Sequence, residues 1–136
     1  MKCIRVTAAV ILEDGRIFAA ERGYGSHQGW EFPGGKIREN ETAEECLKRE
    51  IREELSADIE TDEFLMRLEH DYDDFHLSMD VFLCHVVNGR LILSEHKQAG
   101  WFAVDELDHV AWLEADRKII PVLKKRLAEI QTKEEV

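Results

Sequence analysis

The chain has 136 residues, 44% of them hydrophobic, and a formal net charge of −11 from 29 acidic and 18 basic side chains. This length fits one ordinary domain, so we expect a single domain over residues 1–136. A chain this acidic should repel a nucleic-acid backbone, which argues against a DNA or RNA polymer as its partner.

The first predicted elements form a β-hairpin. Residues Cys3–Leu12 are rich in Val and Ile and predict a strand, Asp14-Gly15 supplies a tight-turn signal, and Arg16–Ala20 predicts the second strand. The polar, glycine-bearing residues 21–29 are typical of an exposed loop. A short extended piece follows over residues 31–35 and stops at a double glycine.

A helix is predicted after the double glycine. Thr42 with Glu45 three residues later is the signature of a capping box at a helix N-terminus. Apolar residues then recur every four positions, which gives the helix one face to bury: Ala43, Leu47, Ile51 and Leu55.

The second half of the chain combines strands with a final helix. Strands are predicted over Ile59–Leu68, His76–Val87 and Trp101–Val104. Asn88-Gly89 predicts a type I′ hairpin turn into a further strand at Leu91–Leu93. The final helix should run from about Arg117 to Ile130, with Pro121 in its first turn, where proline is tolerated. Strands interspersed with two main helices predict an α/β or α+β sandwich.

Compartment follows from what the chain lacks. No apolar run approaches the length needed to cross a bilayer, and residues 1–12 lack the pattern of a signal peptide. Three cysteines, Cys3, Cys46 and Cys84, are an odd number without CxxC spacing, which favours reduced thiols over a disulfide frame or a zinc site. We therefore expect a cytoplasmic protein without membrane association.

Three glutamates of the predicted helix are the strongest candidates for chemistry. Glu50, Glu53 and Glu54 are three and four positions apart, so they project from one helix face. Their mutual repulsion must be offset by solvent or by a cation, and hard divalent cations such as Mg²⁺ favour oxygen ligands. Upstream, Gly34-Gly35 lets the backbone approach a ligand closely. A glutamate-rich helix is more often a solvated face, and the residues alone leave solvation and metal binding open.

The same segment resembles a known family. Gly35, five residues, Glu41, seven residues and then the run from Arg49 to Glu54 are similar to the signature of the Nudix hydrolases, in particular its MutT-like branch. The family usually has glycine where this chain has Ser56, the position at which the helix ends. The similarity extends over most of the chain, roughly from Cys3 to Leu127.

The resemblance implies a fold and a metal site. The fold is the Nudix α/β/α sandwich, in which a mixed β-sheet lies between the signature helix and the C-terminal helix. The cofactor is Mg²⁺, with Mn²⁺ as a substitute. Its ligands would be Glu50, Glu53 and Glu54 with the backbone carbonyl of Gly34, and Glu95 would help to bind metal or to activate water.

The resemblance also assigns supporting and substrate-binding residues. Glu41 would pair with Arg49 and hold the helix carboxylates in place. Arg22 would contact a phosphate and Asp116 would hydrogen-bond the base. Asp116 has an alternative role as the N-cap of the last helix. Phe32 is an aromatic candidate for stacking on the base, with a place in the core as its alternative.

The implied activity is the hydrolysis of a nucleoside or deoxynucleoside triphosphate to the monophosphate and pyrophosphate, as in clearing or metabolising the nucleotide pool. Asp116 favours a cytidine-type or modified base, such as CTP, 5-methyl-dCTP or 8-oxo-dGTP. A dinucleoside polyphosphate or a nucleotide sugar is an alternative substrate. A catalytically silent binding domain on the same fold is a further alternative, against which the intact glutamate set argues. Monomer and homodimer both stay open.

Overall fold

The computed structural model describes residues 1–22, 28–92 and 98–135. The first half of the chain contains β1 (Lys2–Glu13), β2 (Arg16–Arg22), β3 (Gly29–Glu31), β4 (Gly34–Lys36) and α1 (Ala43–Leu55). The second half contains β5 (Ala57–Asp71), β6 (Phe75–Gly89), β7 (Gln98–Ala103), a 3₁₀ helix (Val104–His109), α2 (Glu114–Arg117) and α3 (Ile119–Glu135).

The strands form one mixed sheet with β1 near its centre. The described strands follow the order β3-β2-β1-β6-β5, and β4 pairs with β1 while β7 pairs with β2. The β1–β6 pair is parallel, whereas β1 is antiparallel to β2 and β4. The predicted turn at Asp14-Gly15 is confirmed, because both residues have positive φ angles, 51° and 74°.

The sheet is covered on both faces, which explains why residues 8–12 of β1 are an unbroken apolar run. Successive side chains of a strand point to opposite faces. Val10 lies in the cluster that contains Ile119 of α3, whereas its neighbour Ile11 lies in the cluster that contains Leu47 of α1. The predicted α/β/α sandwich, with the sheet between the two helices, is confirmed.

Helix α1 agrees with its prediction. Thr42 is the N-cap and makes the predicted capping box with Glu45. The apolar stripe is buried against the sheet, with Leu47, Ile51 and Leu55 fully buried. The helix ends at Ser56, which adopts the left-handed conformation (φ 58°, ψ 32°) that glycine usually provides.

The predicted final helix is divided in two. Lys118 separates α2 from α3, and its backbone N–H donates to the carbonyls of Ala115 and Asp116, which tightens the turn there. Pro121 is the third residue of α3, so its placement in the first turn is confirmed. None of the helices in the described ranges is long and apolar enough to cross a membrane.

The hairpin predicted at Asn88-Gly89 is wrong. These residues continue β6 and pair with Asp58 and Ala57 at the start of β5, because the 15 residues of β5 extend far enough to offer them partners. Leu91 and Ile92 belong to no strand, and Leu93 lies outside the described residues. The backbone N–H of Ile92 instead donates to the carbonyl of Leu55 at 2.7 Å, at the end of α1.

Candidate functional site

The double glycine brings β4 into close contact with two neighbours. A Cβ on Gly34 would lie 1.9 Å from the carbonyl oxygen of Thr7 in β1. A Cβ on Gly35 would lie 2.3 Å from the carboxyl carbon of Glu50 on α1. Neither position has room for a side chain. Gly35 therefore allows the Glu50 carboxylate to lie against the backbone of β4.

Arg49 connects three carboxylates beside β4. Its Nε and Nη2 donate to the two oxygens of Glu41 at 2.7 and 2.9 Å, a bidentate pair. Its Nη1 donates to Glu50 at 2.9 Å and to Glu53 at 3.3 Å. The hydrogen bonds from Arg49, with one from the Arg38 backbone, lower the pKa of Glu41 to about 2. The pairing predicted for Glu41 and Arg49 is present in the structure.

The three candidate metal ligands of α1 differ in exposure. The Glu50 side chain is largely buried, Glu54 is intermediate and Glu53 is half exposed. Carboxylates and a backbone carbonyl are the oxygen donors that suit a hard divalent cation, so the residue types fit. Among the described residues, no three His, Cys, Asp or Glu side chains are placed so that they could hold one ion together. Their role as metal ligands remains a prediction, and Glu95 lies outside the described residues.

A cavity of about 200 Å³ begins at Gly34-Gly35 and reaches Asp116. One wall is apolar and comes from β1 and β6, with Val6, Leu77 and Met79 among its residues. The rest of the lining is more polar and includes Arg22, Glu31, Lys36, Tyr72 and Asp116. The cavity therefore combines an apolar surface with a set of charged and hydrogen-bonding groups.

Asp116 is a buried residue of this cavity lining. Its Oδ2 accepts a hydrogen bond from the backbone N–H of Phe32 at 3.0 Å. Burial raises the pKa of Asp116 to about 7, and the nearby charge of Glu31 acts in the same direction. The N-cap alternative for Asp116 is wrong. Asp116 is the third residue of α2, Leu113 is the N-cap of that helix, and α3 begins only at Ile119.

Arg22 and Glu31 form an ion pair in the cavity lining, with 3.1 Å between Nη2 and Oε2. The Arg22 side chain is 41% exposed, whereas Glu31 is buried, so the guanidinium keeps an open side. The predicted phosphate contact of Arg22 remains a prediction. Sequence reasoning missed Glu31, although an ionisable residue between two aromatics in a short strand was a usable signal.

Two aromatic residues of the lining differ in surroundings. The Phe32 ring is buried and stacks on Trp112, with the ring centroids 4.6 Å apart. One face of Phe32 is thus occupied by the core. Tyr72 follows β5, its ring lies 5.1 Å from that of Phe75, and its hydroxyl accepts a hydrogen bond from the backbone N–H of Ala115 at 3.2 Å. Tyr72 was not among the site residues predicted from the sequence.

The comparison with family models identifies the class of protein. The NUDIX domain model matches residues 1–123, and the chain therefore belongs to the Nudix hydrolase family. The matched range contains the signature helix, β4 and Asp116. Members of this family generally use divalent metal ions.

Similar proteins lie in the MutT-like branch. A CTP pyrophosphohydrolase from Escherichia coli (strain K12) is 32% identical over 130 residues, which cover 94% of each chain. An 8-oxo-dGTP diphosphatase from Proteus vulgaris is 40% identical over 85 residues, or 60% of this chain and 76% of that protein. The solved structure of MutT from methicillin-resistant Staphylococcus aureus 252 has a TM-score of 0.75 and 36% identity, and covers 95% of this chain and 99% of that one.

Proposed function

We propose that this enzyme hydrolyses a nucleoside triphosphate to the monophosphate and pyrophosphate with a divalent cation, Mg²⁺ or as a substitute Mn²⁺. The observation that carries the proposal is the cavity that connects Gly35, where the Glu50 carboxylate lies, with the buried carboxyl of Asp116. Its lining includes cationic groups that suit a triphosphate and a buried carboxyl that suits a base. The relatives' names, CTP pyrophosphohydrolase and 8-oxo-dGTP diphosphatase, support this reaction class.

Glu50, Glu53 and Glu54 with the carbonyl of Gly34 would hold the cation. A cation bound there would neutralise phosphate charge and lower the pKa of a water molecule. Arg49 keeps Glu50 and Glu53 on one side of α1 through its hydrogen bonds to both. A carboxylate of this set, or Glu95, accepts the proton of the water that attacks an internal phosphorus.

Arg22 assists with the phosphates. Its pair with Glu31 fixes the guanidinium in the lining of the cavity that also contains Asp116. The partly exposed guanidinium has donors beyond the one that faces Glu31, and planar guanidinium groups suit phosphate oxygens. Glu31 is in this reading the residue that orients Arg22.

Asp116 selects the base. Its Oδ2 accepts from the Phe32 N–H, and we assign the other oxygen, Oδ1, to the base. In the ionised form this oxygen accepts from an exocyclic amine, which supports a cytosine-type base. A specific observation favours a second candidate, because the raised pKa of Asp116 keeps part of the carboxyl neutral near pH 7. A neutral carboxyl donates to a base carbonyl, as an oxidised purine requires.

The test is a pyrophosphate-release assay with Mg²⁺ across CTP, dCTP, 5-methyl-dCTP, 8-oxo-dGTP and the ordinary triphosphates, with diadenosine tetraphosphate and ADP-ribose alongside. Selective release from a cytosine or 8-oxoguanine triphosphate is expected. Glu53→Gln, purified in the same way, controls for contaminating phosphatases. Hydrolysis of ADP-ribose or diadenosine tetraphosphate, without hydrolysis of any triphosphate, would overturn the proposal.

A further inference from the structure

Helix α2, which carries Asp116, lacks a side-chain cap of its own. The first N–H groups of a helix have no partner within the helix, and an oxygen-bearing N-cap residue usually accepts from one of them. The N-cap of α2 is Leu113, which has no such oxygen. The hydroxyl of Tyr72 accepts from the N–H of Ala115, the second residue of α2. Tyr72 thus serves α2 as a cap supplied from the end of β5.

Helix α2 is held from two sides. On the side of β3, Leu113 N–H donates to the carbonyl of Trp30 at 2.9 Å, and Phe32 N–H donates to Asp116. On the side of β5, Tyr72 acts together with two exposed contacts. Lys118 donates to the carbonyl of Glu69 at 3.0 Å, and the Nε2 of His70 lies 3.2 Å from Glu114.

Among the residues that tie α2 to β5, Tyr72 lines the same cavity as Asp116. Lys118, His70 and Glu114 are not part of that lining. The Tyr72 hydroxyl is bonded to the residue directly before Asp116, so a change in that bond acts first on the backbone that carries the carboxyl. The two surface contacts restrain α2 from outside the cavity.

We propose that Tyr72 is a positioning residue for base recognition, whose hydroxyl fixes the first turn of α2 and thereby the place of the Asp116 carboxyl in the cavity. The proposal rests on the proposed function in so far as Asp116 reads the base. Tyr72 contributes to specificity through Asp116, and its own contact with the base is not required. Burial raises the pKa of Tyr72, which keeps the hydroxyl neutral in any ordinary assay.

The first test compares Tyr72→Phe with Lys118→Met. Tyr72→Phe removes the hydroxyl and leaves the ring that packs on Phe75, while Lys118→Met removes a contact between the same two elements outside the cavity. For Tyr72→Phe we expect KM for the preferred triphosphate to rise about threefold to tenfold, the effect of one lost neutral hydrogen bond, with kcat nearly unchanged. Discrimination against the next-best base should fall by the same factor. Lys118→Met should change neither.

A double-mutant cycle tests whether Tyr72 acts through Asp116. In an Asp116→Ala background, adding Tyr72→Phe should change base discrimination no further, because the group that it positions is already gone. If Asp116→Ala does not fold, Asp116→Leu, which also removes the polar group but fills the buried volume, takes its place. Additive effects, a uniform loss of kcat on all bases, or an equal effect of Lys118→Met would each overturn the proposal.

A measurement without substrate separates this inference from the proposed function. Amide exchange and nitrogen–proton spectra are recorded for the wild type, Tyr72→Phe and Lys118→Met. Tyr72→Phe should speed exchange at Ala115 and shift the Phe32 amide resonance, because Phe32 donates to Asp116. Unchanged signals at both amides overturn the link even in an active enzyme. If the protein hydrolyses no triphosphate, the proposed function is overturned. The amide signals still decide whether the Tyr72 hydroxyl positions Asp116.

Discussion

The buried carboxyl of Asp116 and the backbone N–H of Phe32 are joined by a hydrogen bond of 3.0 Å across 84 positions of the sequence. This bond links α2 to the end of β3 and holds one carboxyl oxygen in the cavity wall. Burial raises the pKa of Asp116 to about 7, so its charge changes near neutral pH. The group that we propose to read the base is therefore sensitive to pH near neutrality.

Asp116→Asn should abolish a pH dependence of base choice. In the wild type, preference between a cytosine and an 8-oxoguanine triphosphate should change between about pH 6 and 8, because the carboxyl changes from donor to acceptor. Asn does not titrate, so its preference should stay flat. The measurement is the ratio of kcat/KM for the two substrates against pH. The same slope in the Asn variant would contradict the role of Asp116.

Asp116→Asn should also change how the free energy of unfolding depends on pH. Between about pH 4 and 7 the carboxyl is ionised in the unfolded chain and protonated in the folded one, so its contribution to the free energy of unfolding falls as pH rises and levels off above 7. Asn does not titrate, so it does not cause this fall in the free energy of unfolding. The stability of Asp116→Asn relative to wild type should thus increase with pH by on the order of 1–4 kcal/mol. Urea unfolding at pH 4.5 to 8 measures it, and a constant difference would refute it.

Glu53→Gln should lower turnover by about a hundredfold or more while the fold is kept, because a carboxylate is lost at the proposed metal site. Glu53 is half exposed and is bonded only weakly to Arg49, at 3.3 Å, so little stability depends on it. Pyrophosphate release and thermal unfolding are the two measurements. Glu44→Gln makes the same charge change on α1 at a residue bonded to Thr61 and should be nearly silent. Near-normal turnover in folded Glu53→Gln would contradict the assignment of Glu53 as a metal ligand.

Gly35→Ala should displace the Glu50 carboxylate, since its Cβ would come within 2.3 Å of the carboxyl carbon. A shift of about 1 Å in such a group can cost about a hundredfold in rate. The measured quantity is kcat for pyrophosphate release. Gly100→Ala adds a methyl group to β7, where the nearest atom is the end of the Phe102 ring at 3.2 Å, and serves as the control. Equal activity of the two variants would show that Glu50 need not lie against β4.

Ser56→Gly should stabilise the protein without changing turnover. Ser56 has φ 58°, a conformation that costs a residue with a Cβ about 1 kcal/mol and glycine almost nothing. Urea unfolding should therefore give about 1 kcal/mol more stability. Ser78→Gly in the interior of β6 should act in the opposite direction. A loss of stability in Ser56→Gly would mean that the serine side chain compensates for its backbone strain.

Local sequence signals were sufficient to predict the elements that short-range contacts determine. The capping box at Thr42 and the turn at Asp14-Gly15 are short-range chemistry, and both are present in the structure. Asn88-Gly89 carries an equally strong turn signal, yet it continues a strand, because β5 extends to pair with it. Partner strands are distant in the sequence, so propensity alone could not decide that case.

The residues of the candidate site also differ in how far the sequence could predict them. Glu41, Arg49 and Glu50 lie within ten positions of one another, and their network could be anticipated from the family signature. Glu31 and Tyr72 lie outside the family signature, and for Glu31 the local signal was only an ionisable residue between two aromatics. Their importance depends on contacts with Arg22 and Ala115, which arise only when β3, β5 and α2 meet around one cavity. The spacing of residues along the sequence does not predict long-range contacts of this kind.

The most direct test of the proposed reaction is phosphorus NMR of the products formed from CTP and from 8-oxo-dGTP with Mg²⁺. Our account predicts the monophosphate and pyrophosphate in equal amounts from at least one of them, and almost none from Glu53→Gln. A diphosphate with inorganic phosphate, or no turnover of any triphosphate by folded wild-type protein, would contradict it.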